Sequence, residues 1–172
     1  MLRERMLRAE RLVAVVAIAF LLLGLVEAGI ASGIVVEEAC SELESLVENV
    51  SWSRIFLNNL RAMSLMALPF LGPPYSLAIA FVTGTALNCV VEPGGRGLYM
   101  LAIAASPVTY LELLAYSTVI VSSTLLSVDI ARRRPIIPGV LDLGLSYGIA
   151  ALLLLASAVL ETLLISVGGP GM

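Results

Sequence analysis

Apolar residues run in five long stretches along this chain, and the charged residues gather between them. The stretches cover 12–36, 55–72, 74–91, 98–128 and 137–167. The first alone exceeds the ~20 residues a helix needs to cross ~30 Å of hydrocarbon. The pattern predicts an all-α fold, a polytopic transmembrane helical bundle of about five spans with Pro-broken helices, in a single domain over 1–172. Between the first two stretches, 37–54 is acidic (Glu37, Glu38, Glu42, Glu44 and Glu48), with Leu43, Leu46, Val47 and Val50 at helical spacing. That spacing predicts a short amphipathic helix across the outer mouth of the bundle, with Trp52 at headgroup level; a solvated loop is the alternative.

Two places interrupt the apolar runs. At Leu71-Gly72-Pro73-Pro74, two prolines remove two backbone donors and bias the preceding residue away from the helical region. Either two antiparallel helices meet there or one long helix kinks. Charge bears on the choice. With five spans and a cytoplasmic N-terminus, Arg3, Arg5, Arg8, Arg11 and Arg132, Arg133 and Arg134 lie inside, and only Arg54, Arg61 and Arg96 lie outside. With four spans that bias nearly vanishes, so the positive-inside rule favours five, with the C-terminus outside. A re-entrant hairpin over 55–91 is the rival. The second interruption is Pro107, inside a stretch longer than one crossing requires. It either kinks the helix or divides a short outer half-helix from a true span over 107–128.

Composition agrees and excludes much chemistry. Hydrophobic residues make up 59%, with a mean hydropathy of +1.01. His, Lys and Gln are absent, and all ten basic residues are Arg. Without His or Lys, no Ser/His dyad, His-ligated zinc site or Schiff base can be assembled. No enzyme, metal or cofactor is expected. A net charge of -3 without a basic stripe argues against nucleic acid. Few Asn and no Gln would suit a thermophile, while the Arg-only basic set is equally explained by genome composition. The N-terminal MLRERMLRAER resembles the charged region of a signal peptide, but the apolar run after it is too long and lacks a clean cleavage site.

Ionisable residues inside apolar spans are functional candidates by default, because a charge at the bilayer centre costs at least ~2.5–3.5 kcal/mol. Glu27, Glu112, Asp142 and Glu161 qualify. With five spans, Glu27, Glu112, Glu161, Arg61 and Asn88 fall in the outer half of the bundle. Asp142 stands alone near the inner face, as a helix-start charge close to Arg132, Arg133 and Arg134. The expectation is an outward-open polar cavity in which Arg61 pairs with Glu112 or Glu161; the alternative has Glu27 and Glu161 snorkelling to the interface. Gly29-x-x-x-Gly33 and Gly144-x-x-x-Gly148 permit close helix approach, within the chain or in a homo-oligomer. Cys40 and Cys89 both fall outside, where an oxidising compartment would permit a disulfide; without metal-like spacing they otherwise read as ordinary small residues.

Several of these residues sit in motifs. Ser53-Arg-Ile-Phe-Leu-Asn-Asn-Leu-Arg-Ala62 opens the second stretch, and Thr83-Gly-Thr-Ala-Leu-Asn-Cys89 closes the third. Ser106-Pro107-Val-Thr-Tyr-Leu-Glu112 and Ala158-Val-Leu-Glu161-Thr follow. In order and layout, over roughly 50–166, they resemble the stage II sporulation protein M family of integral membrane proteins. That family's Pro-His-Gly-x-x-Glu element has Val108 and Thr109 here in place of its His and Gly. The resemblance singles out Asn58, Asn59, Arg61, Pro107, Glu112 and Glu161. It implies a platform in the cell membrane that organises other membrane proteins, as members holding cell-wall hydrolases do in sporulating bacteria. Two functions are therefore expected in competition. One is a non-enzymatic scaffold acting on partner membrane proteins. The other is a small transporter or channel subunit using Arg61, Glu112 and Glu161, with Asn58, Asn59, Asn88 and Pro107 beside them.

Overall fold

A computed structural model describes residues 2–35, 37, 40–41 and 51–168. Among them are six helices and no strand: α1 (Leu2–Ser32), α2 (Trp52–Met66), α3 (Gly72–Leu87), α4 (Arg96–Ala105), α5 (Pro107–Ala131) and α6 (Ile137–Gly168). The segment expected to form an acidic amphipathic helix over 37–54 lies largely outside the described residues.

Three helices are long and apolar enough to cross a membrane, over Ala9–Ser32, Pro107–Ala131 and Ile137–Ser166. Their outward faces carry large apolar side chains, among them Leu141, Leu145 and Leu152, each about two-thirds exposed. A water-facing helix would be polar there, so the molecule is consistent with a membrane protein. The helices α2 and α3, of 15 and 16 residues, come to only about 24 Å at 1.5 Å per residue.

They are shorter than the expected stretches for a local reason. The break comes before the Gly-Pro-Pro element, at Pro69: α2 ends at Met66, and Phe70 turns the chain with φ of 65°. A bulky residue rarely adopts that conformation. It is held by the Phe70 N–H donating to Ser127 Oγ at 2.8 Å and by Gly72 N–H donating to Leu68 O at 2.7 Å. Pro73 and Pro74 then fill the first turn of α3, where no backbone donor is needed. Only glycine fits at 72, because a Cβ there would overlap the Met66 carbonyl. The stretch 98–128 likewise divides at Ser106, which is extended, and Pro107 opens α5.

The most extensive contacts are between α5 and α6, then between α1 and α3. Buried serines let α5 and α6 approach closely: Ser117, Ser122, Ser123 and Ser127 on one, Ser146 and Ser157 on the other. Ser117 and Ser127 turn their hydroxyls back to the carbonyl four residues earlier. At the α1/α3 crossing, Gly29 meets Gly84 so closely that a Cβ on either would enter the other helix's backbone. Leu22, Leu23, Met66, Ala80, Leu113 and Ile120 form one apolar core; Met63, Ala115, Val119, Ala150 and Leu154 form the second, between α2, α5 and α6.

Two polar fasteners define the ends of the bundle. At one end Arg11 bridges to Asp142 (2.6 Å) and donates to Ser122 and Ser146 (2.5 and 2.9 Å), joining α1, α5 and α6. The α2–α3 turn and the α5–α6 turn lie toward this end, through Phe70 on Ser127. Asp142 therefore does not stand alone: its partner is Arg11, whereas Arg134 pairs with Asp129. At the other end, Asn88 donates from Nδ2 to Gly29 O (3.1 Å) and Ile34 O (3.0 Å), capping carbonyls left open where α1 stops at the left-handed Gly33. Cys89 forms a disulfide with Cys40 immediately beside it.

Candidate functional site

The α3 helix leans on α1 while α2 leans on α6, and the two touch each other little. Their divergence leaves a cavity of about 800 Å³, backed by α5 and bordered by α4 and the end of α6. That volume lies within the range of small-molecule sites.

Local sequence explains how each polar group reaches it. Asn58, Asn59 and Arg61 occupy one arc of α2, so a single helix face presents all three to the cavity. Glu112 lies one and a half turns into α5, on the face toward α2 and α6. Its Oε1 accepts from Asn59 Nδ2 at 2.6 Å and from Ser157 Oγ at 3.3 Å. Ser157 also reaches the Val108 carbonyl at 3.4 Å, tying α6 to the first turn of α5. The break at Ser106–Pro107 sets where that turn begins, which is how Pro107 contributes. Tyr110 secures the break from outside, its hydroxyl donating to Ala104 O at 2.6 Å. Glu161 enters from α6, and Tyr75, Tyr99 and Tyr116 from α3, α4 and α5.

The structure thus brings Asn58, Asn59, Arg61, Glu112 and Glu161 to one cavity. It does not bring Asn88, which is 7% exposed and spent on the end of α1. Nor does Arg61 form the expected ion pair: among the described residues it bridges to neither glutamate, and Glu112 is held by neutral donors. Arg61 is exposed, whereas Glu112 is half-buried. Glu27 makes no hydrogen bond or ion pair among the described residues. Ser157 and the three tyrosines were not singled out by sequence. Ser157 sits in an ordinary small-residue run, and only its spacing from Glu161, one turn earlier on the same face, marks it.

No group of three or more acidic, His or Cys side chains suited to a metal ion occurs among the described residues. The cavity offers a carboxylate with neutral hydrogen-bond donors, a second carboxylate, aromatic faces and long apolar walls. Such a lining can bind and orient a small molecule. No protein-family model, curated protein or solved structure matches the chain.

Proposed function

We propose that this is a multi-pass protein of the cell membrane that takes up a small solute in the cavity between α2 and α3. On this reading the N-terminus is cytoplasmic, the chain crosses five times and the C-terminus is outside. The single observation that carries it is the convergence of Asn58, Asn59, Arg61, Glu112 and Glu161 on one cavity of about 800 Å³. Supporting the orientation, Arg11 and the turn carrying Arg132, Arg133 and Arg134 belong to the same end of the bundle. The disulfide at the opposite end suits an oxidising exterior. Short α2 and α3 suit a protein-lined cavity, where a helix need not cover the full hydrocarbon thickness.

Substituted-cysteine labelling in intact cells tests both parts, the native cysteines being paired and unreactive. A cysteine at Thr109 should react with a small charged methanethiosulfonate from outside, and one at Leu152, on the outward face of α6, should not. A cysteine at Gly95 should be labelled from outside and one at Arg133 only after permeabilisation. An unreactive Thr109→Cys defeats the cavity reading; external labelling at 133 defeats the five-span orientation.

A second reading, the membrane platform implied by the resemblance to the stage II sporulation protein M family, is favoured by α6. There Gly144 and Gly148 have nothing within 4 Å of a built Cβ, leaving a flat apolar strip open to a partner helix. Gly144→Leu should strip co-purifying membrane proteins if that face is used, and Glu112→Gln should leave them in place.

A further inference from the structure

The chemistry of the cavity narrows what it takes up; this step rests on the solute-binding reading above. Two carboxylates, Glu112 and Glu161, enter it from different helices, and the lining holds no paired cation to balance them. Arg61, the one basic residue among the lining, is exposed and bridges to neither. Both hydrogen bonds to Glu112 fall on Oε1, from the neutral Asn59 and Ser157. Oε2 accepts none among the described residues, leaving one lone-pair face of a fixed carboxylate turned to the cavity. A carboxylate in such surroundings is costly to keep unpaired.

The rest of the wall indicates the shape of the missing partner. Tyr75, Tyr99 and Tyr116 stand on three different helices, and an aromatic face attracts a cation within about 6 Å of its centre. Leu22, Met66, Ile79 and Leu113 supply apolar surface. A bare inorganic cation would leave that surface and most of the volume unused, and would ask for six or more converging oxygens if it were calcium. An apolar body carrying one positive centre uses all of it: the carboxylates, the ring faces and the apolar walls.

We propose that the cavity binds lipophilic organic monocations, a single ammonium or phosphonium centre on an apolar body, with Glu112 as the principal counter-charge and Glu161 as the second. Three probes separate charge from apolar bulk: tetraphenylphosphonium and tetraphenylborate, which share one shape with opposite charge, and the smaller neutral triphenylphosphine oxide. Binding is measured on the full chain in nanodiscs of zwitterionic lipid, by equilibrium dialysis with empty discs subtracted. Tetraphenylphosphonium should bind at least tenfold more tightly than either other probe, about the discrimination expected from one desolvated charge contact. Glu112→Gln, which retains an acceptor for Asn59 and Ser157, should remove that preference while leaving triphenylphosphine oxide unchanged. Glu161→Gln should reduce it less. Should Glu112→Gln lose the neutral probe as well, the cavity has been damaged, and the wild-type charge comparison and Glu161→Gln decide. Equal binding of the cation and the borate, or tighter binding of the borate through Arg61, overturns the cationic class and leaves the cavity reading standing. Binding of none of the three above empty discs overturns both.

Discussion

Gly84→Ala and Gly144→Ala make the same change on two helices, and the structure gives them opposite signs. A Cβ at 84 would stand 2.9 Å from the Gly29 Cα and would overlap the Val26 carbonyl oxygen. Ordinary carbon–carbon contact is about 3.5–4.0 Å, so α1 and α3 must part by at least roughly 0.6–1 Å to clear the Cα, and by more to clear the oxygen. Both obstacles are backbone, so no side chain can swing aside. Overpacking of this kind costs about 1–3 kcal/mol and occasionally more. Because α1/α3 is the second most extensive helix contact, the separation is felt along its length and the upper half of that range applies. Replacing glycine inside a helix returns up to about 1 kcal/mol. The net expectation is a loss of about 2 kcal/mol for Gly84→Ala. At 144 nothing lies within 4 Å of the new atom, and only the helical gain remains, up to about 1 kcal/mol. Unfolding by sodium dodecyl sulfate in mixed micelles, followed by circular dichroism and by the single Trp52, measures both. If the two variants unfold at the same detergent fraction, or Gly84→Ala lies within about 0.5 kcal/mol of the parent, the close crossing does not exist as described.

Three further outcomes follow from the fasteners and the turn. Arg11 and Asp142 have side chains 32% and 36% exposed, so the bridge is discounted for solvent screening. Even so, Arg11→Leu leaves Asp142 unpaired and should cost about 1–2 kcal/mol in the same assay. The double variant Arg11→Leu/Asp142→Leu should regain most of that loss, since an apolar pair needs no counter-charge. Opening the Cys40–Cys89 bridge frees a separation of 49 residues. Chain entropy sets about 4 kcal/mol as the upper figure, and inserted helices lower it, so Cys89→Ser should bring unfolding to lower detergent by no more than that. Ser127→Ala strands the Phe70 N–H in an apolar turn and should cost about 1–2 kcal/mol, with faster amide exchange at Phe70.

Much of this was legible in the pattern of residues. The 12–36, 98–128 and 137–167 stretches overlap the three helices long enough to cross, because twenty apolar residues admit few other uses. Pro107 pointed to an interruption, and its position at the first turn of α5 reflects the donor it lacks. The break between α2 and α3 was placed too late because Gly72-Pro73-Pro74 is conspicuous in sequence and Pro69 is not. Prolines at the start of a helix are harmless, whereas Pro69 stands where α2 would need its N–H. Glu112 and Glu161 were found by their cost in an apolar run. Their neighbours were harder to see. Asn59 was expected to accompany Arg61 and instead replaces it as the partner of Glu112, since a two-carbon amide and a long guanidinium on one arc reach different depths. Asn88 looked like a member of the polar layer because depth alone does not say which way a side chain faces. Arg11 gave no sign of leaving the basic N-terminal run, for its partners lie 111 to 135 residues away.

The two pairings that hold α3 to α1 and α2 to α6 also set an order for assembly on a chain made from its N-terminus. Asn88 and Cys89 emerge early enough to fasten α3 onto α1 while the second half of the chain is still being synthesised. The helix between them has no such opportunity. Its main neighbour is α6, and the carboxylate that receives Asn59 lies in α5. Asn59 therefore waits for its partner until more than fifty further residues have been added, and α2 for its main neighbour until α6 follows. A chain stopped before Pro107 would present the polar arc of Asn58, Asn59 and Arg61 without the carboxylate that receives Asn59, and α2 without α5 and α6, against which its apolar face packs.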